Sequence, residues 1–426
     1  MNTLIVSIER NGKMIQVGKI VGNDASDASF RYHPEYLDSS DAAAISISLP
    51  LREEPYSTAQ TASFFEGLLP EGFTRRSVAQ WMHADENDYL SILHGLGREC
   101  LGAICVTAEH EELEAAYEPV TAQQVRDLAS EGATKSAELV TKSHLSLTGA
   151  SGKVGLYYSK DQDSWFLPKG TAPSTHIVKQ SHIRLDSIVT NEQLALSTAS
   201  KCGIIIPDSF IINTGEGKEN EVLFATERYD RMISNQSSKI NGLSRPLRLH
   251  QEDFAQAMGI PSSRKYEKKS AEYMRGMFDI LRRYSSDPVR DQLRLWDIIV
   301  FNYLIGNTDA HIKNFSLLYN SSLKSLRLAP AYDIVSTTVY DQSTRDMAFN
   351  IGGVYSIDEI ERGHFITAAK AVGLGERMAM RRFDDMCRRF KKALKNSADE
   401  LVTAGYPKAS EIHDRILDSG GIRYLT

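Results

Sequence analysis

"LWDIIVFNYLIGNTDAHIKN" (Leu295 to Asn314) decides how this chain is read. The part up to Gly306 is nearly unbroken apolar sequence, the signature of a buried helix that stops at a glycine. A bland turn usually follows such a stop. Here "GNTDAHIKN" (Gly306 to Asn314) instead brings two asparagines, an aspartate, a histidine and a lysine. In phosphoryl transfer a catalytic-loop Asp orients the attacking hydroxyl and takes its proton, and an Asn five residues later ligates Mg²⁺. Asp309 and Asn314 have that separation. The next segment, "FSLLYNSSLKSLRLAPAYD", has the alternation and turn residues of a β-hairpin. It ends in "LAPAYDIVS" and so offers Asp333 as a second oxygen ligand for a hard ion. Taken singly, Asp309 reads as a helix-terminal turn residue and Asp333 as an ordinary strand-end acid. Their order and spacing around a hairpin favour the chemical reading.

Upstream, "TGASGK" (Thr148, Gly149, Ala150, Ser151, Gly152 and Lys153) lies between two expected strands. Its glycines would let backbone N–H groups close on phosphate oxygens, although a plain hairpin turn fits too. The spacing is not that of a Walker A loop. "HIVK" puts Lys179 at the end of an apolar strand, as in the kinase lysine that reaches the α- and β-phosphates. Glu192 heads the next helix, either as partner of that lysine or as a charge favoured by the helix dipole. "ATERYDR" (Ala225 to Arg231) closes this region where a hinge would meet adenine. Within it Glu227, Arg228, Tyr229 and Asp230 are candidates, with backbone groups of Glu227 and Tyr229 on the purine edge and Asp230 near the ribose or supporting the hinge. The plainer alternative is a surface strand with an Asp–Arg pair. Ser146 places a hydroxyl beside this loop, or simply forms a turn.

The 426 residues allow two or three domains. With 42% hydrophobic and 24% charged residues the composition is that of a soluble globular protein. A net charge of -6 argues against a dedicated polyanion binder. The start, "MNTLIVSIERNGK", is too briefly apolar for a signal peptide, and no run approaches membrane-helix length. The four cysteines lack metal-ligand spacing. These features predict a cytoplasmic protein that does not enter a membrane. A basic run, "RRFDDMCRRFKK" (Arg381 to Lys392), could touch DNA phosphates, but its interspersed acids favour a solvated helix face.

Strands are expected at "TLIVSIE" and "AISISLPL", with a helical piece near "TASFFEGLLPEGFTRRSVAQWM". An acidic polar stretch after Ala108 marks a junction. From Ser143 to about Asp230 strands surround one helix, "NEQLALSTASKCG". Beyond Asn241 the text is largely helical, "HQEDFAQAMG" included. The expected units are 1–110, 111–240 and 241–426, a small α/β lobe followed by a mostly helical lobe.

Together these segments resemble the HipA family of serine/threonine kinase toxins across nearly the whole chain. The resemblance rests on "IGNTDAHIKNFSLL", "LAPAYDIVS", "LPKGTAPSTHIVKQ", "ERYDR", "RLHQEDFAQAMGIPSSRKYE", "FFEGLLPEGFTRRSVA", "DYLSILHGLGRECLGAI" and "DMAFNIGG". It implies an α+β, bilobal, protein-kinase-like (phosphatidylinositol-kinase-like) fold that uses ATP and Mg²⁺. It also implies Asp309 as catalytic base, with His311 and Lys313 in the catalytic loop near the phosphates. Asn314 and Asp333 would hold the metal, Lys179 would contact ATP, and Thr148 to Lys153 would form the phosphate loop. Ser146 matches a serine whose autophosphorylation inactivates the kinase by ejecting that loop. The implied substrate is a glutamyl or tryptophanyl aminoacyl-tRNA synthetase. The implied partner is a helix-turn-helix repressor antitoxin of the HipB type, through which DNA is met only indirectly. The loop departs from the family at Thr148, Ser151 and Gly152, and His144 stands where some relatives carry a second serine. Two other classes compete: a catalytically silent repressor-binding partner, and a small-molecule phosphotransferase.

Overall fold

The computed structural model describes residues 2–109, 111, 114–131, 135–136, 139–140, 152–181, 185–234, 237–268 and 271–425. The apolar run forms the helix Pro288–Ile305 at the centre of the C-terminal half. Asp287 caps its start by accepting from the Arg290 N–H at 3.3 Å, and Pro288 fits the first turn, where no N–H is needed. Gly306 ends it in the left-handed region at φ 77°. A Cβ there would lie 2.0 Å from Thr338 Oγ1, so conformation and space both require glycine. The helix is apolar on nearly every side because neighbours surround it. Leu295, Trp296, Phe301 and Leu304 are buried, and the Trp296 indole N–H donates to the Ala379 carbonyl at 3.0 Å. The helices Tyr273–Tyr284 and Glu376–Thr403 pack against it. Within the basic run, Arg382 turns inward onto Asp297 and Arg388 pairs with Asp385 on its own helix.

Two antiparallel sheets build the first half. One has the order β3-β2-β1-β4, from β1 (Asn2–Arg10), β2 (Lys13–Gly22), β3 (Ser29–Tyr32) and β4 (Ile104–Ala108). Period-two alternation on β1 buries Leu4, Val6 and Ile8 on one face. The other has the order β5-β7-β6-β8-β10-β9. Its strands are β5 (Ala115–Pro119), β6 (Lys153–Ser159), β7 (Ser164–Gly170), β8 (His176–Gln180), β9 (Ser209–Asn213) and β10 (Val222–Glu227). Val154, Leu156, Val178 and Leu223 of this sheet form a separate core with Val125 and Leu128 of the helix Ala122–Glu131. The helix Ile188–Lys201 carries Glu192 between the sheet and the helical half, and Gly203 follows it at φ 89°.

Three expectations are corrected. "AISISLPL" is not a strand: it makes one isolated bridge, Ser46 to Leu49. Ser46 Oγ and the Ile47 N–H both donate to Glu252, and Ser48 Oγ donates to the Gln256 carbonyl, so this segment docks onto the second half. "HQEDFAQAMG" divides into a strand, Gln251–Asp253, paired with Ser316–Tyr319, and a short helix, Phe254–Ala257. The helical piece near Phe65 is two helices, Thr58–Phe65 and Gly72–Trp81, broken around Pro70. The expected hairpin is present, Ser316–Tyr319 pairing antiparallel with Leu326–Leu328.

Candidate active site

A cavity of about 1120 Å³ lies between the six-stranded sheet and the helical half. That volume is on the scale of small-molecule and cofactor sites. Gly152, Lys153, Lys179, Glu192, the hinge 227–230, Asp309, His311, Lys313, Asn314 and Asp333 all line it. Residues more than 150 positions apart thus meet in one cleft. Ser146, Thr148, Gly149, Ala150, Ser151 and His144 lie outside the described residues.

Lys179 sits on β8, and its Nζ donates to Glu192 Oε1 at 2.6 Å and to Asp333 Oδ1 at 2.5 Å. Of the two readings of Glu192, the structure therefore shows the lysine partner. Burial works against the Lys179 charge, but Asp333 and Glu192 overcome it and hold the ammonium above its usual range. Burial likewise opposes the charge on Asp333. Lys179 and Lys153 outweigh it and hold that carboxyl well below the carboxylate range. Asp333 itself is in the left-handed region at φ 56°, a strained choice for a non-glycine residue and one typical of functional sites. Lys153, first residue of β6, is pushed down to about 8 by burial, against the pull of Asp333.

Asp309 follows the capped helix and is exposed to the cleft. Asn307 Oδ1 accepts its N–H at 3.2 Å, and Asn314 Nδ2 donates to its carbonyl at 3.0 Å. The loop thereby holds Asp309 and Asn314 in fixed relation, and Asn314 Oδ1 keeps no protein donor among the described residues. Desolvation in the cleft, with Asp333 nearby, raises the Asp309 carboxyl above its ordinary range despite a hydrogen bond from Tyr266. His311 is buried, and that burial pushes its imidazole down to about 3, so it is neutral. The amide oxygen of Asn314 and the carboxylate of Asp333 are hard donors of the kind Mg²⁺ takes with phosphates and waters. No three His, Cys, Asp or Glu side chains gather as a metal cage among the described residues.

Two sequence assignments need correction. Lys313 does not reach freely toward phosphates. Its Nζ is buried and donates to Asp253 Oδ2 at 3.0 Å, to Ser262 Oγ at 3.3 Å and to the Gly67 carbonyl at 3.3 Å. Glu71 Oε1 lies 3.5 Å from the same nitrogen, so Lys313 ties the 306–314 loop to the amino-terminal segment. The Arg228 side chain is likewise turned away from nucleotide duty, while Asp230 takes the expected alternative of supporting the hinge, in an Asp–Arg pair that is buried rather than on a surface strand. Arg228 donates to Asp230 at 2.9 Å and 2.8 Å, to Glu99 at 3.1 Å and to the Cys100 carbonyl at 3.1 Å. Asp230 also accepts the Gly102 N–H at 2.7 Å and Gln251 Nε2 at 3.0 Å. Arg231 and Arg248 close on Glu99 at 2.9 Å and 2.6 Å, completing a buried network between hinge and amino-terminal part. The hinge backbone remains available: the Tyr229 N–H has no acceptor among the described residues, while its ring lies 5.7 Å from that of Tyr332. Glu99, Glu71 and Tyr266 escape a reading of spacing, because their partners are distant in the chain.

The fold and cleft define a bilobal, protein-kinase-like α+β protein, as the sequence led us to expect. A model of the HipA-like C-terminal domain matches residues 145–394, and one of the HipA N-terminal domain matches residues 12–107. The chain belongs to the HipA-like family. It is 31% identical over 396 residues to Y4mE of Sinorhizobium fredii, named as an inferred kinase, covering 91% of this chain and 90% of that one. It is 25% identical over 347 residues to the serine/threonine-protein kinase toxin HipA of Shewanella oneidensis, covering 79% and 76% of the two chains. The structure of Shewanella oneidensis HipA, in complex with HipB and operator DNA, superposes with a TM-score of 0.80 at 22% identity. The superposition covers 99% of this chain and 97% of that one. No helix among the described residues is long and apolar enough to cross a membrane.

Proposed function

We propose that this chain is an ATP- and Mg²⁺-dependent serine/threonine protein kinase that acts as a cytoplasmic toxin. One observation carries the reading: Lys179, ion-paired with Glu192 and Asp333, faces the same cleft as the Asp309–Asn314 loop. A scaffold that worked by contact alone has no need of a strained acid salt-bridged to a buried lysine. When bound, ATP supplies the phosphoryl group and Mg²⁺ the neutralising charge. Asn314 Oδ1 and Asp333 would hold the metal. Lys179 and Lys153 present cationic nitrogens to the phosphates, and the Tyr229 N–H meets the purine edge. Asp309 orients the serine hydroxyl of the protein substrate and accepts its proton at a carboxylate oxygen. Neutral His311 helps wall the cleft against water.

The finer points belong to the same proposal. An aminoacyl-tRNA synthetase, glutamyl or tryptophanyl, is the substrate class, so that phosphorylation inhibits translation. Ser146 is the autophosphorylation site, where nearly two added negative charges beside the phosphate site would be inactivating. A HipB-like helix-turn-helix antitoxin is the partner, supported by the assembly in which the Shewanella oneidensis relative was solved. Residues 1–110, 111–240 and 241–426 are the working units.

The test is transfer of radiolabel from ATP in a cell lysate. A labelled synthetase band, lost in Asp309→Asn, is expected, with phosphate on Ser146 by mass spectrometry. Absence of any transfer sinks the kinase reading in favour of a silent repressor partner. A labelled small metabolite points instead to a small-molecule phosphotransferase.

A further inference from the structure

Tyr266 lies in the "RKYE" segment, far from the catalytic loop in sequence, yet its hydroxyl donates to Asp309 Oδ1 at 2.5 Å. That is the sole side-chain hydrogen bond to the Asp309 carboxylate among the described residues. The terminal torsion of an Asp side chain is broad and nearly two-fold, so a cleft-exposed carboxylate with no partner samples many orientations. One fixed donor removes that freedom and leaves Oδ2 as the acceptor.

The tyrosine is itself held by its ring and by both neighbouring residues. Its ring meets the His311 imidazole edge-on, with centroids 5.3 Å apart at 82°. On one flank Lys265 Nζ donates to Glu71 Oε2 at 2.7 Å. On the other, the Glu267 carboxylate accepts the N–H groups of Tyr273 and Asn350 at 2.6 Å and 2.8 Å, and the Glu267 N–H donates to the Ala348 carbonyl at 2.8 Å. A side chain that is 46% exposed at the mouth of a cleft is thus built on a braced loop. Bracing of this kind is what a site needs to hold a reacting group within a fraction of an ångström.

We infer that Tyr266 is a positioning residue, whose hydroxyl fixes the Asp309 carboxylate so that Oδ2 faces the incoming alcohol of the protein substrate. The inference rests on Asp309 being the base, as proposed above. The exposed edge of the ring borders the path by which a substrate serine reaches Oδ2.

The experiment compares full-length wild type, Tyr266→Phe, Tyr266→Ala and Asp309→Asn. It measures the initial rate of label transfer into the lysate band that wild type labels most strongly, together with affinity for a fluorescent ATP analogue and the thermal midpoint. Phe keeps the ring against His311 and removes only the hydroxyl. Tyr266→Phe is expected to slow transfer roughly 10- to 100-fold, at or below the roughly 100-fold lower end of what losing general-base action outright costs, as suits a residue that positions the base. Nucleotide affinity should stay within about twofold, the signature of an interaction made in the reacting state. Tyr266→Ala should lose about as much rate. A Phe variant at wild-type rate beside a slow Ala variant would overturn the inference by showing that the ring alone matters. Loss of nucleotide affinity and thermal midpoint in step with rate would overturn it as well, since a general structural role would suffice. So would phosphate on Tyr266 after incubation with Mg²⁺ and ATP, which would make its hydroxyl an acceptor. Wild-type transfer by Asp309→Asn removes the base assignment and this inference together. An inactive Asp309→Asn beside a fully active Tyr266→Phe removes this inference only.

Discussion

Lys153 and Lys179 are directly opposed across the antiparallel pairing of β6 and β8, and Lys179 has two carboxylate partners while Lys153 has no ion pair among the described residues. Like charges in that relation repel. The arrangement makes sense if an anion between the strands and Asp333 completes it, and the phosphates of ATP are such an anion.

If the cleft binds nucleotide as proposed, Lys153 would give that binding a pH limb. Burial holds its ammonium at about 8, so the free protein loses that charge as pH rises through 8. Affinity for Mg²⁺–ATP is expected to be full below about pH 7 and to weaken above 8, with proton uptake on binding near pH 8. Calorimetry in buffers of different ionisation enthalpy measures the uptake. Lys153→Met should bind more weakly and lack the limb; an unchanged limb in that variant would assign it elsewhere.

Lys313→Met separates a structural lysine from one that touches phosphate. Asp253 would be left buried without its cation, and breaking such a pair costs about 3–5 kcal/mol. The urea midpoint is expected to fall together with activity. Loss of activity at an unchanged midpoint would return Lys313 to the phosphates.

Glu99 sets part of the acid stability. Burial opposes its charge, but Arg231, Arg248 and Arg228 prevail and hold the carboxyl at about 2 against an ordinary 4.5. A depressed carboxyl contributes stability that is present above about pH 4.5 and lost as pH falls toward 2, on the order of 3 kcal/mol. Glu99→Gln should be less stable at neutral pH and show a flatter decline between those limits in urea titrations.

Gly306→Ala should destabilise the fold by roughly 2 kcal/mol or more, because positive φ and a blocked Cβ position act together. Since the same glycine sets the path into Asp309, label transfer should fall further than the population of folded protein. Equal losses in the two would show that the loop tolerates a different entry.

The course of the Gly306–Asn314 loop was legible because its information is local. A helix that must stop, a fixed interval from Asp309 to Asn314 and a hairpin leading to Asp333 are all written in consecutive residues. The Lys179 strand and the Glu192 helix were legible for the same reason. The destinations of long polar side chains were not. Lys313 looks like any catalytic-loop lysine until Asp253 and Gly67 are brought beside it, and Arg228 looks like a hinge contact until Glu99 arrives. "AISISLPL" has a strand's alternation, but its serines are spaced to meet Glu252 and Gln256. Period-two patterning reports which face is polar, not whether a neighbouring strand exists to pair with it.

The Glu99 network has a practical corollary for anyone dissecting this molecule. Producing the chain beyond about residue 110 alone would remove Glu99, leaving Asp230 as the one carboxylate beside both Arg228 and Arg231 and depriving Arg248 of both Glu99 and Glu9. The C-terminal piece is then expected to be insoluble when produced by itself and rescued by co-production with the amino-terminal piece, the two behaving as obligate companions.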